Sequence, residues 1–183
     1  LSQGKPEAAE RNFTKAIELA PGWMTPYYRI GRLYVQQGKV NEGIKKLEQA
    51  LKANPSSVRT AFILANLYEQ SGRYEQAEAH YKNILENQPG FIPAANNLAF
   101  LYAEHSPTKE RLDKALELAL LAAEKEEPEI LDTLGWVYFK RGELELAADA
   151  LQRTLEKKPD FPAASYHMGM VHLKKGEKKK AKE

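Results

Sequence analysis

The side chains able to do chemistry in this chain are four histidines, a group of glutamates at 124–129 and a run of lysines near the end. His167 and His172 stand five residues apart, not the four that would set both imidazoles on one helical face as metal ligands. Glu124, Glu126, Glu127 and Glu129 border a helix end with no Ser, Cys or His nucleophile near them, so solvated charge is their expected role. No glycine-rich phosphate loop is present, because the repeat described below accounts for every glycine as a turn or a close-packing site. Neither enzymatic activity nor a bound metal or cofactor is expected.

Lys174, Lys175, Lys178, Lys179, Lys180 and Lys182 form a basic cluster. It lacks interleaved aromatics and has few apolar neighbours, so exposed helix surface explains it better than phosphate or lipid binding. A net charge of +2, from 27 basic and 25 acidic residues, supplies no field for drawing in nucleic acid. No apolar run approaches the roughly 18 residues that a membrane helix requires. The absence of Cys excludes a disulfide scaffold and fits either a bacterial cytoplasm or an exported, periplasmic protein, which leaves the compartment open.

The elements that must position any site are set by a period. Pro21, Pro55 and Pro89 are 34 residues apart, and Pro159 follows after two such periods plus two residues. Gly4, Gly38, Gly72, Gly142 and Gly176 keep the same spacing, with Ser106 where another glycine should be. Four residues before each of the later landmarks stand Tyr34, Tyr68, Tyr102, Tyr138 and then His172, and small residues recur at Ala9, Gly43, Ala77, Ala115, Ala147 and Ala181. Each place asks for one chemistry: Gly ends a first helix in the left-handed conformation, a small residue lets the second helix approach, and Pro stops it. Apolar or small residues at offsets of three, four and seven, such as Ala61, Leu64, Ala65 and Tyr68, mark the packed face of each first helix.

These residues resemble the tetratricopeptide repeat across essentially the whole chain. The resemblance implies an all-α, right-handed superhelical solenoid of antiparallel helix pairs, forming a single array over 1–183. Within it, 1–21 would be the second helix of a partial repeat, 24–57, 58–91, 92–127 and 128–161 full repeats, and 162–183 a truncated one. The start at Leu1, inside a repeat, suggests a piece of a longer protein. The run 130–159, with Leu131-Asp132-Thr133-Leu134-Gly135-Trp136, resembles repeats of bacterial proteins tied to cell-surface or secretion assemblies.

One repeat departs from the pattern. Tyr102 to Ala115 is 13 positions where Tyr34 to Gly43 is nine, so four residues, about one helical turn, are added. Ser106-Pro107 reads as an N-cap followed by Pro at the first helical position, which predicts a second helix lengthened by a turn at its start. A neutral insertion in a surface turn is the alternative. The connector at Glu126-Glu127-Pro128 is two residues short, which predicts a local change of curvature.

The resemblance further implies that the first helices line a concave groove where partner segments bind. The groove-facing places are Tyr28, Arg29 and Arg32; Phe62, Ile63, Asn66 and Glu69; Asn96, Asn97 and Phe100; Asp132, Thr133, Trp136 and Phe139; and Tyr166, His167 and Met170. Tyr28, Phe62, Phe100, Trp136, Phe139 and Tyr166 lie outside the repeat's own packing positions, an aromatic density that suggests a partner. Asn66, Asn96 and Asn97 can pair with the backbone of an extended peptide. The alternative is that some of these aromatics pack on the next repeat and the asparagines meet water.

Asn66 and Asn97 also occupy the asparagine places of the family's carboxylate clamp for acidic chaperone tails, but Phe62, Glu129 and Thr133 stand where its cations belong. A chaperone-tail receptor is therefore disfavoured, while Arg29 and Arg32 remain able to attract an acidic side chain. The expected function is an interaction scaffold for a peptide or protein. Self-association through open array ends, and service as an accessory module in a multidomain protein, are the alternatives.

Overall fold

The computed structural model describes residues 6–20 and 23–182, so Gly4 and Pro21 of the period lie outside it. The described residues form ten α-helices and one short 3-10 turn, without a strand. They divide into two compact units, Leu1–Asn87 and Gln88–Glu183. The first holds α1 (Pro6–Leu19), α2 (Met24–Gln36), α3 (Val40–Ala53), α4 (Val58–Gln70) and α5 (Tyr74–Asn87). The second holds α6 (Ile92–Glu104), α7 (Lys109–Ala123), α8 (Pro128–Arg141), α9 (Leu144–Lys157), α10 (Pro162–Lys174) and the turn Lys180–Lys182. Within each unit successive helices pack on one another, and in the second α8 also touches α6 and α10.

The period follows from how first helices end. After α2 the chain turns left-handed at Gly38 (φ +73°), and the Lys39 amide donates to the Tyr34 carbonyl at 2.7 Å. The same bond runs from Arg73 to Tyr68 at 2.8 Å, from Glu143 to Tyr138 and from Glu177 to His172 at 2.9 Å. This closure satisfies a carbonyl that the helix leaves open, and it requires a residue tolerant of positive φ four places after the ring. Tyr34 and Tyr68 are buried, and their hydroxyls donate to Glu10 of α1, at 2.5 Å, and to Glu48 of α3. The bond to Glu10, aided by burial, pushes the Tyr34 hydroxyl up to about 12; burial, aided by Glu48, does the same for Tyr68.

Helix pairs approach closely where side chains are missing. A Cβ on Gly135 of α8 would stand 2.7 Å from Leu151 Cγ and 3.3 Å from the Ala147 carbonyl oxygen of α9. Around such contacts Ile30, Leu47, Leu64, Tyr81, Ile84, Leu131, Val137 and Leu151 are fully buried, each in the core of its own unit.

The fourth repeat carries its extra residues differently from the expected N-cap. Ser106 keeps the left-handed conformation of the missing glycine (φ +54°), whereas an N-cap needs extended backbone. Pro107 has no N–H with which to make the closing bond to Tyr102. Helix α7 begins instead at Lys109, with Thr108 extended (φ −85°, ψ 162°) and its hydroxyl accepting from the Arg111 amide at 3.2 Å. The helix is nonetheless lengthened at its start: six residues separate Lys109 from Ala115, against three from Tyr74 to Ala77. The added turn sets the Arg111 guanidinium 4.4 Å above the Tyr102 ring. Past Ala115 the helix runs eight residues to Ala123, against ten from Ala147 to Lys157, and the short connector passes through Glu126 at φ +50°.

Two of the glutamates at 124–129 are not merely solvated. Glu126 accepts from Arg153 at 2.5 Å and Lys157 at 3.2 Å, both on α9, and Glu129 from Lys158 at 2.6 Å. His172 is half-buried, with Nδ1 at 2.8 Å from Glu177. Of the lysine cluster, only Lys174 lies on α10; Lys175 pairs with Glu145 at 2.9 Å, and Lys180 belongs to the 3-10 turn.

Candidate functional site

The two units carry separate first-helix surfaces. In the first unit α2 and α4 lie side by side. Tyr28, half-buried, accepts a hydrogen bond from Arg32 Nη1 at 3.3 Å, and the Arg59 guanidinium stands 5.0 Å from its ring centroid. The Arg32 hydrogen bond, opposed by burial and aided by the Arg32 and Arg59 charges, lowers the Tyr28 hydroxyl below its ordinary value. A cleft of ≈ 260 Å³ is lined by Thr25, Tyr28, Arg29, Arg59, Thr60 and Ile63. A second, of ≈ 330 Å³, shares Tyr28 and Ile63 and adds Arg32, Val35, Gln36, Asn66, Leu67 and Gln70.

Two expected residues of this unit are engaged internally. Phe62 is half-buried with its ring 6.1 Å from that of Tyr81. Asn66 Oδ1 accepts from the Tyr81 hydroxyl, which also lies 2.7 Å from Glu69 Oε2, so a single proton serves two acceptors. Arg59 was missed in the sequence. Its place directly after the N-cap Ser57 and Val58 reads as a helix start, and only the packing of α2 against α4 brings it to Tyr28.

In the second unit α6 contributes Asn96, Asn97 and Phe100, all half-buried. Asn96 Nδ2 donates weakly to Asn97 Oδ1 at 3.4 Å, while Asn96 Oδ1 is buried and has no hydrogen-bond partner among the described residues. Tyr166 of α10 is 62% exposed, with its ring 5.8 Å from His167.

Asp132, Trp136 and Phe139 of α8 and His167 of α10 are buried, at 6, 5, 8 and 7% exposure. Trp136 stacks on His167 at 4.2 Å and on Phe139 at 4.9 Å, so here the outward aromatics pack on the following repeat. Trp136 Nε1 donates to Glu104 at 2.9 Å, Lys140 pairs with that carboxylate at 3.0 Å, and the Lys140 ammonium lies 4.8 Å above the Trp136 ring. Burial alone would raise the Glu104 carboxyl, but the bonds from Lys140 and Trp136 prevail and hold it below its ordinary value. Asp132 Oδ1 meets His167 Nδ1 at 2.8 Å. The physical cause is position: α8 is flanked by α6 and α10 and covered by α7 and α9. A signal for this exists in the sequence, since Asp132 is the single charged residue in 130–139, and a helix apolar all round is a buried one.

Among the described residues no group of three or more His, Asp or Glu side chains could hold a metal ion, and no helix is long and apolar enough to cross a membrane. The surfaces offer guanidinium, amide, hydroxyl and apolar groups.

Comparison with known proteins agrees with this architecture. A tetratricopeptide repeat profile matches residues 28–90 and 64–129, and a further TPR repeat profile matches 135–176. No match is found among the curated proteins. Among solved structures, a tetratricopeptide repeat protein from Parabacteroides merdae superposes with a TM-score of 0.81 at 17% identity, covering 98% of this chain and 71% of that one. A thermophilic TPR protein from Thermus thermophilus, TTC0263, gives 0.73 at 20% identity, covering 87% and 86%. MamA from Desulfovibrio magneticus RS-1 gives 0.71 at 16% identity, covering 85% and 87%. At such identities the likeness is one of fold. With repeat profiles over most of its length, the chain belongs to the tetratricopeptide repeat family, whose members are in general interaction scaffolds and not catalysts.

Proposed function

We propose that the first-helix surfaces of this chain hold an extended segment of a partner protein. The observation that carries the reading is the pair of adjoining clefts between α2 and α4, where guanidinium, amide and apolar groups line one open surface. Mixed chemistry of this kind suits a polypeptide, whose backbone needs donors and acceptors and whose side chains need pockets.

The test places a photo-crosslinking amino acid at Arg29, Asn97 or Tyr166, each on a first helix, and at the exposed second-helix positions Lys45, Glu86 or Glu117. In an extract of the source cells, adducts should form from the first set. Equal adduct formation from the second set would refute the reading.

A second reading, self-association, rests on Leu19 and Trp23, which are 77 and 55% exposed. Light scattering over a wide concentration range separates the two, since a persistent monomer is incompatible with assembly as the function.

A further inference from the structure

We infer that the α2/α4 clefts of the first unit form a receptor for a carboxylate side chain of an acidic, otherwise apolar, extended peptide. This rests on the scaffold reading above and names the ligand chemistry of one of its surfaces.

The charge distribution points there. Arg141 is paired with Asp113 and Glu143, and Arg153 with Glu126, at 2.5–2.6 Å. Arg29, Arg32 and Arg59 have no carboxylate within ion-pair distance among the described residues, although Arg32 and Arg59 both contact Tyr28 and Arg29 lines the first cleft beside it. Three cations gathered on one short surface without a counterion repel one another, and an incoming anion relieves that repulsion.

Two of the guanidiniums also rest against the tyrosine. Arg32 is hydrogen-bonded to the Tyr28 hydroxyl at 3.3 Å, and Arg59 rests over the ring at 5.0 Å. Tyr28 accepts in the first of these contacts, so its own proton is still available for an oxygen of the ligand. Cations fixed in this way lose less side-chain entropy on binding, and a guanidinium matches the planar carboxylate fork.

Peptide is favoured over nucleic acid by what adjoins the arginines. Val35, Ile63 and Leu67 make an apolar slot in the second cleft, with Gln36, Asn66 and Gln70 beside it. An apolar side chain and a peptide backbone suit such a slot, and a phosphodiester backbone does not. Among the described residues Tyr28 is the one aromatic ring lining either cleft, and Arg59 already covers its face, leaving no platform on which a base could stack. The arrangement differs from the family's chaperone-tail clamp, since it uses arginines of α2 and of the first turn of α4, while Phe62 occupies a clamp cation's place.

The experiment titrates the full chain into three fluorescein-labelled peptides of about ten residues, alternating Leu with Asp, with Asn or with phosphoserine, and into a single-stranded oligonucleotide of similar length. The Asp peptide should bind about tenfold more tightly than its Asn isostere, with an affinity that falls steeply as salt rises toward about 0.5 M. R32Q and R59Q should each weaken Asp-peptide binding by about fivefold or more, while K45Q on α3 leaves it unchanged. Thermal melts of each variant establish that it is folded.

Equal binding of the Asp and Asn peptides, or no loss in R32Q and R59Q, would overturn the inference. So would binding of the phosphoserine peptide or the oligonucleotide in preference to the Asp peptide, or binding of none of the four. The scaffold reading is judged separately by the crosslinking pattern. First-helix adducts together with indifference to peptide charge would mean that segment binding stands and carboxylate recognition fails.

Discussion

Asp132 Oδ1 and His167 Nδ1 lie 2.8 Å apart although 35 residues separate them in the chain, and both side chains are buried. They tie α8 to α10, under the stacked rings of Trp136 and His167. Removing one member leaves a buried polar group without its partner. D132A should therefore lower stability by about 2 kcal/mol, and D132N by less, since the amide can still bond to the ring. Urea unfolding followed by tryptophan fluorescence checks this. A D132A midpoint equal to the parent's would show that the pair contributes nothing.

Ser106 occupies the left-handed position that glycine holds after four of the five first helices, at φ +54°. A side chain there is strained by about 1–2 kcal/mol, so S106G should stabilise the chain by about 0.5–1 kcal/mol after the roughly 0.5–1 kcal/mol of its larger unfolded-state entropy is deducted. S106V should destabilise it, because a branched Cβ suits positive φ worst. Paired thermal melts decide, and the idea fails if glycine gives no gain.

Gly135 sits where a Cβ would come within 2.7 Å of Leu151 Cγ. At Gly31 the corresponding approach, to Leu47 Cδ1, is 3.1 Å. G135A should cost about 1–3 kcal/mol by forcing α8 from α9, and G31A less, since the leucine tip need move only a few tenths of an ångström. Chemical denaturation of the two variants should rank them in that order. The reverse order would show that helix spacing is softer around α8 than its packing implies.

Tyr34 and Tyr68 hold their protons up to about pH 12, against 10 for a free tyrosine. A raised pKa means that the folded chain binds these protons more tightly than the unfolded one. Their contribution to stability is then complete below pH 10 and is lost as pH rises toward 12. Y34F/Y68F should be less stable than the parent at neutral pH, by about 1 kcal/mol for each lost bond, and should show a shallower decline from pH 10 to 12. Parallel slopes in pH-dependent urea unfolding would contradict the assignment.

The fold was legible because its constraints recur. Gly72 must be left-handed for Arg73 to reach the Tyr68 carbonyl, and Ala77 must be small for α5 to approach α4, so each repeat writes the same residues at the same interval. The extra residues of the fourth repeat were visible as a count. Their conformation was not, since Ser106-Pro107 fits both a helix start and a glycine-like turn, and the choice depends on which carbonyl and amide lie within reach.

The candidate surface was legible only as a row. Helical spacing says which way Tyr28, Phe100 and Trp136 project from their own helices, but not what the neighbouring helices lay over them. Tertiary packing left Tyr28 open to a cleft beside Arg29, Arg32 and Arg59, while it closed α6 and α10 around α8 and buried Trp136 against His167. The chain's own period thus determined the helices, their pairing and their inner faces, because those depend on contacts repeated every 34 residues. Which outward residues are free to meet a partner depends on contacts made once, between particular helices, and only the folded structure decided them.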